Sequence, residues 1–129
     1  MNGDCLLDTN AVIALLADEE LAPERLKGAE EVLVPSVVMG ELYYGAYKSS
    51  HAQSNLARVD EFAVNATILS CDIETARRYG EIKDRLQKKG RPIPANDLWI
   101  AAVAVQYDLT LVTRDAHFAE VDGLKIQPW

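Results

Sequence analysis

A helix made almost entirely of apolar residues, with an acid at its start, constrains this fold most. Within Pro94–Asp115, the run Leu98–Val105 contains eight consecutive apolar residues, and a short β-type run, Leu109–Val112, follows it. This pattern predicts a buried helix, a tight turn and a buried strand. Asp97 precedes the apolar run and Asp115 follows the strand. We therefore expect both carboxylates on the same side of the domain.

Asp97 also has a purely structural interpretation. Asn96 would be the N-cap of the helix, and the charge of Asp97 would favour the positive end of the helix dipole. Against this, a buried helix needs no acid on its apolar face, and Asp97 shares that face with Ile100 and Ala101. Taken alone, the residue leaves both interpretations open.

Short apolar runs alternate with helical patterns along the rest of the chain. Further strands are expected at Cys5–Leu7, Val32–Val34, Ala66–Leu69 and Lys125–Gln127. Helices are expected between them, including a short one opened by Pro23 and a long one that Asp72 caps. This order predicts a single α/β domain over residues 1–129, with a mostly parallel sheet covered by helices on both faces. Sites in such sheets form at the carboxyl ends of the strands.

Composition narrows the class of protein. The 129 residues include 13 basic and 20 acidic side chains, a net charge of −7, which argues against broad nucleic-acid affinity through bulk charge. Cys5 and Cys71 lie beside apolar runs without a C-x-x-C pattern, so they are expected to be reduced core residues and not to bind zinc. We expect a cytoplasmic protein, because no signal peptide or membrane-spanning run is recognisable.

Two more acids stand where a site would form. Asp8 follows the first strand directly, and Glu41 lies one helical turn after Val37 and Val38, on the apolar side of its helix. Both acids, and Asp115 as well, have a purely structural alternative. Asp8 would be a helix cap, Glu41 a side chain that curls out to solvent, and Asp115 an ordinary turn residue.

Taken together, the four acids Asp8, Glu41, Asp97 and Asp115 indicate a shared site. Converging carboxylates repel one another, and a divalent cation would compensate for that repulsion. Oxygen ligands with no histidine or cysteine nearby favour Mg²⁺ or Mn²⁺ over zinc. His117, two residues after Asp115, could lie near the site, but a surface position is expected. A few carboxylates with several retained waters suit phosphate chemistry, in which the metal activates a water.

The order and spacing of these motifs resemble a PIN-domain ribonuclease, specifically the small VapC-like toxins of type II (VapBC) toxin–antitoxin pairs. The motifs that carry the resemblance are Leu6–Asn10 after the first strand, Glu41 in the helix after Val34–Ser36, Asn96–Asp97 at the start of the apolar helix, and Leu111–Asp115. The resemblance covers essentially the whole chain.

The family resemblance implies a parallel sheet of strand order 3-2-1-4-5 and a metal-dependent endoribonuclease that uses Mg²⁺, or Mn²⁺ in its place. It also implies a homodimer and a cognate VapB-like antitoxin. Carried over by motif, Asp8, Glu41, Asp97 and Asp115 become the catalytic acids that hold the metal. Asn10 and Thr113 become groups that orient the carboxylates or a metal-bound water.

Basic residues concentrate in one segment. Seven of the thirteen lie within Asp72–Arg91, and five of these follow Ile82. Because the basic end of the segment leads directly to Asp97, it is expected to contact RNA phosphates. The residues in question are Arg85, Lys88, Lys89 and Arg91. The alternative is a solvated face with pairs such as Arg77 with Glu81.

Two other functions are carried as alternatives. A catalytically silent PIN-like module that binds RNA or protein would lack one of the acids, and none is missing. A metal-dependent phosphatase would act on small phosphoesters and ignore structured RNA. No Gly-rich phosphate loop follows the first strand, and Asn10 stands where an aspartyl-phosphate phosphatase would carry a second acid.

Overall fold

The computed structural model describes residues 3–17, 24 and 26–129. Its centre is a five-stranded sheet of order β3-β2-β1-β4-β5 in which every pairing is parallel. The strands are β1 (Gly3–Leu7), β2 (Ala29–Pro35), β3 (Thr67–Leu69), β4 (Thr110–Thr113) and β5 (Lys125–Pro128). The α/β class and the expected strand order are therefore confirmed.

Helices connect the strands. They are α1 (Thr9–Ala17), α2 (Ser36–Tyr47), α3 (Ala52–Asn65), α4 (Ile73–Lys89), α5 (Ala95–Gln106) and a 3₁₀ helix (Ala116–Glu120). The short helix predicted from Pro23 to about Ala29 includes two residues outside the described ones, Pro23 and Arg25; of the rest, Glu24 is helical, residues 26–28 form a turn and Ala29 begins β2, so the predicted C-terminal end was wrong. The N-cap assignment of Asn96 was wrong, because α5 begins at Ala95 and its N-cap position is Pro94. The core position expected for Cys71 was also wrong, since Cys71 is exposed, whereas Cys5 is buried. None of the described helices is long and apolar enough to cross a membrane.

The core lies between the central strands and the apolar helix. Leu6 and Leu7 of β1 and Leu111 of β4 are fully buried. Helix α5 is buried on nearly all sides, since Ile100 and every residue from Ala101 to Ala104 are at most 1% exposed. Its alanines allow close approach, and each large apolar side chain buried in this way contributes about 1.5–3 kcal/mol.

A polar network fixes α5 against α4. The Asp72 side chain accepts a hydrogen bond from the Thr75 backbone N–H at 3.0 Å and another from Gln106 Nε2 at 2.9 Å. The Thr75 hydroxyl, fully buried, donates to Gln106 Oε1 at 2.5 Å. The N–H of Thr75, followed by the amide of Gln106, holds the pKa of Asp72 below its usual value. The start of α4 is thus tied to the end of α5, whose other end carries Asp97.

The topology brings the acid-bearing segments to one edge of the sheet. β1 and β4 are neighbours, with Leu7 opposite Val112, so the residues that follow them emerge together. β2 leads directly into α2, which carries Glu41. The carboxyl ends of parallel strands meet at one edge, which is the usual place for a site in this class of fold.

Candidate active site

The four acids predicted from the sequence line one pocket. Its volume is about 280 Å³, and it opens at the carboxyl ends of β1 and β4. Its wall is formed by Asp8, Thr9, Asn10, Glu41, Pro94, Asn96, Asp97 and Asp115. The structure therefore brings together side chains that are separated by up to 107 positions in the sequence.

Asp8 is the most deeply placed of the four acids. It is 5% exposed and accepts hydrogen bonds from the Ala11 backbone N–H at 2.8 Å and from the Thr113 hydroxyl. Burial raises the pKa of Asp8; the two hydrogen bonds lower it, and the charges of Asp115 and Glu41 raise it further. The carboxylate is therefore held in one orientation in an environment that opposes its charge.

Glu41 reaches the pocket from α2. The helix is anchored by the buried residues Val38 and Leu42, and the Thr9 hydroxyl donates a hydrogen bond to Glu41 Oε2. Sequence reasoning missed Thr9 and chose its neighbour Asn10 for this kind of role. Asn10 lines the pocket, but within the described residues its side chain makes no hydrogen bond to an acid. Nothing in the sequence indicated that Thr9, and not Asn10, would donate a hydrogen bond to Glu41.

His117 joins the remaining two acids. Its Nε2 lies 2.7 Å from Asp97 Oδ2, and its Nδ1 lies 2.9 Å from Asp115 Oδ1. His117 therefore takes the alternative position near the site, with its side chain 32% exposed, and the expectation of no histidine near the acids was wrong. Asp115 lies two residues after the end of β4 and is the N-cap of the 3₁₀ helix, in which His117 stands beside the fully buried Phe118. The spacing of two residues after Asp115 was the available signal.

The electrostatics of the pocket favour a cation. Burial raises the pKa of Asp97, the hydrogen bond and charge of His117 lower it, and Asp115 and Glu41 raise it. One oxygen on each of Glu41, Asp97 and Asp115 (Oε1, Oδ1 and Oδ2) has no hydrogen bond from the described residues. Carboxylate oxygens are the ligands that Mg²⁺ and Mn²⁺ prefer, so the donor set fits such an ion.

The PIN-domain family model matches residues 5–124. This chain belongs to the PIN-domain family. It is 35% identical over 127 residues to Ribonuclease VapC2 of Haemophilus influenzae, and the match covers 96% of each protein. It is 31% identical over 130 residues to the tRNA(fMet)-specific endonuclease VapC of Salmonella typhimurium, again with 96% of each covered.

Solved structures give the same assignment. A chain in the crystal structure of DNA-bound VapBC from Salmonella typhimurium is 32% identical to this PIN domain, with a TM-score of 0.90 over 100% of this chain and 99% of that one. A chain of VapBC-1 from nontypeable Haemophilus influenzae is 27% identical, with a TM-score of 0.85 over 100% and 98%. The family resemblance inferred from the motifs is therefore confirmed.

Two of the basic residues at the C-terminal end of α4 form ion pairs or hydrogen bonds within the chain. Lys88 Nζ lies 2.9 Å from Asp84 Oδ2. Lys89 Nζ donates to the Glu120 carbonyl at 2.9 Å and to Asp122 at 3.2 Å, which ties α4 to the end of the 3₁₀ helix that follows Asp115. Arg85 and Arg91 are exposed. The expected RNA contacts of all four residues stay predictions.

An apolar groove adjoins the acidic pocket. It has a volume of about 370 Å³ and lies between α1, α2 and α3. Its walls are formed by Ile13, Leu16, Ala17, Glu41, Leu42, Gly45, Ala46, Asn55, Arg58 and Val59. Glu41 borders both the groove and the acidic pocket, so an occupant of the groove would end beside the carboxylates.

Proposed function

We propose that this PIN domain is a metal-dependent endoribonuclease, the toxin of a toxin–antitoxin pair, and that the whole chain forms the nuclease domain. The observation that carries the proposal is the convergence of Asp8, Glu41, Asp97 and Asp115 on one pocket. Similar proteins carry the names ribonuclease and tRNA(fMet)-specific endonuclease, which supports RNA as the substrate.

In this proposal the four acids hold Mg²⁺, or Mn²⁺ in its place. When bound, a divalent cation lowers the pKa of a water and stabilises negative charge on the phosphoryl oxygens. Asp97 is the acid that we assign to accept the proton of the attacking water, because its side chain is 22% exposed, whereas Asp8 is deeper and engaged through both oxygens. Attack on the scissile phosphate then leaves a 3′-hydroxyl and a 5′-phosphate.

Residues that adjoin the four acids, and the basic end of α4, assist in the proposed reaction. Thr113 and Thr9 keep Asp8 and Glu41 in position through their hydroxyl groups. Asn10 lines the pocket and orients a water there. The exposed basic residues guide the RNA backbone towards Pro94, on the pocket wall. Those residues are Arg85, Lys88, Lys89 and Arg91.

A VapB-like antitoxin is the proposed protein partner. Similar solved structures are VapBC complexes, and the apolar groove beside Glu41 offers a surface for an apolar segment of such a partner. An arginine at the end of that segment would be attracted to the carboxylates and compete with the metal. Tyr44 and Tyr47, 67% and 68% exposed, are available for a homodimer contact. The proposal includes a cytoplasmic location, where RNA and such an antitoxin would both be present.

The test is RNA cleavage by the purified chain with Mg²⁺, with Mn²⁺ or with EDTA. Asp97→Asn is compared with Asp84→Asn, a matched change on the exposed face of α4. Cleavage that needs a divalent ion, is lost in Asp97→Asn and is kept in Asp84→Asn would support the proposal. RNA binding without cleavage would indicate a silent module, and hydrolysis of small phosphomonoesters alone would indicate a phosphatase.

A further inference from the structure

A single imidazole connects two acids that come from different elements. Asp97 lies in the first turn of α5, whereas Asp115 follows β4. His117 Nε2 contacts Asp97 Oδ2 at 2.7 Å and its Nδ1 contacts Asp115 Oδ1 at 2.9 Å. The separation of the two carboxylates is thus set by the width of one imidazole ring.

The His117 ring lies between the carboxylates of Asp97 and Asp115. Both ring nitrogens face carboxylate oxygens, and His117 is not among the residues that form the wall of the acidic pocket, although one ring nitrogen and one oxygen of each carboxylate lie within 4.8 Å of one another. Asp97 Oδ1 and Asp115 Oδ2 have no hydrogen bond from the described residues. Each of the two acids therefore has one oxygen available to a cation while the imidazole keeps both of its contacts.

We propose that His117 is a positioning residue that holds Asp97 and Asp115 at the separation a divalent cation requires. The proposal rests on the proposed metal site and adds the group that prearranges it. Outer partners of metal-binding side chains act in this way, and losing one typically costs about 10- to 100-fold in metal affinity or activity.

The imidazole is itself restrained. The His117 backbone N–H donates to Asp115 Oδ1 at 3.5 Å, which caps the 3₁₀ helix. The next residue, Phe118, is fully buried, and its ring centre lies 5.1 Å from that of His117. The backbone that carries the imidazole is therefore anchored in the core, as a positioning role requires.

Without such a restraint, Asp97 and Asp115 would repel each other and occupy several rotamers. Binding an ion would then require both side chains to be ordered at an additional cost in entropy. Since this cost is paid for any ion that uses the two carboxylates, the loss of His117 should weaken the binding of Mg²⁺ and Mn²⁺ by the same factor. A histidine that binds the ion directly should act differently, because Mg²⁺ prefers oxygen ligands and Mn²⁺ accepts imidazole more readily.

The test is calorimetric titration of Mg²⁺ and of Mn²⁺ into the intact wild-type chain and its variants. His117→Ala removes the ring, and His117→Gln keeps an amide that is able to donate to one of the two carboxylates. The control is His51→Ala, at an exposed histidine before α3 that makes no side-chain capping hydrogen bond. Thermal unfolding in EDTA identifies the variants that are folded, and His117→Gln is used if His117→Ala is not.

We expect both affinities to fall by about 10- to 100-fold in His117→Ala, by less in His117→Gln, and not at all in His51→Ala. In RNA cleavage, the metal concentration that gives half the maximal rate should rise by the same factor, while KM for RNA at saturating metal is unchanged. Unchanged affinities would overturn the proposal, as would a loss of Mn²⁺ binding far greater than that of Mg²⁺, which would indicate direct ligation. If the wild type binds neither ion, the proposed function fails first, and this inference with it.

Discussion

The acidic pocket and the outer surface of α4 both carry closely spaced charges, but they hold them in different ways. On α4, Lys88 and Asp84 form an ion pair whose side chains are 75% and 60% exposed. In the pocket, Asp8 is 5% exposed and is oriented by a hydroxyl and a backbone N–H. Opposite charges meet on the helix, whereas like charges meet in the pocket.

This difference has energetic consequences. Exposed ion pairs contribute about 0–1 kcal/mol because water and salt screen them. In the pocket, burial and mutual repulsion raise the pKa of Asp8 and of Asp97, so the charged forms are unfavourable until a cation arrives. Removing a charge should therefore change little on α4 and a great deal in the pocket.

The largest effect is expected from Glu41→Gln. Cleavage of RNA should fall on the order of 100-fold or more, because even outer partners of metal-binding side chains account for about 10- to 100-fold. The control is Glu61→Gln, on the exposed face of α3. If both variants cleave RNA like the wild type, removing a charge from the pocket has no greater effect than removing one from the exposed surface, which would contradict the comparison.

A smaller effect is expected from Thr113→Val, which removes the hydroxyl that donates to the buried Asp8. Leaving a buried polar group without its partner costs about 1–3 kcal/mol, and Mn²⁺ affinity should fall by about 10- to 100-fold. Thr67→Val, at an exposed position of β3, is the control. Chemical denaturation and calorimetry measure the two quantities, and equal values for both variants would contradict the orienting role.

The raised pKa of Asp8 predicts how stability depends on pH. In EDTA the wild type should gain stability relative to Asp8→Asn as pH falls from neutral through the raised pKa to the ordinary value of 3.8, because the folded state binds the proton more readily than the unfolded state. Asp8→Asn should thus be the more stable at neutral pH, with an advantage that shrinks on acidification. Urea denaturation across this range tests it; a difference that does not vary with pH would show that burial does not oppose the charge.

The smallest effect is expected on α4. Reversing Lys88 and Lys89 to Glu should weaken RNA binding and flatten its dependence on salt, without changing metal binding. Arg77→Glu with Arg78→Glu is a matched double reversal on the same helix, where both arginines pair with Glu74. If the two double variants have the same salt dependence, Lys88 and Lys89 belong to a solvated face.

The elements of the fold were predictable because their signals are local. The apolar run Leu98–Val105 and the β-type runs indicated the helices and strands, and the acids after the strands indicated the edge where Asp8 and Asp115 emerge. The strand order followed from the family resemblance that these motifs carry. The partners of the acids were not predictable. His117 meets Asp97 and Asp115 because the chain enters the 3₁₀ helix after β4 and buries Phe118 in the core, and Thr9 rather than Asn10 meets Glu41 because of how α1 packs on α2. Such contacts are decided by tertiary packing, which the sequence does not display.

The claim that the four carboxylates form one metal site is tested most directly by thermal unfolding with and without Mg²⁺. In EDTA, Asp8→Asn and Asp97→Asn should melt no lower than the wild type, since each removes a repelling charge. Mg²⁺ at a hundredfold excess over Kd should stabilise the wild type by about 2.7 kcal/mol, and both variants should lose most of that gain. Equal stabilisation of the wild type and both variants by Mg²⁺ would contradict a shared site.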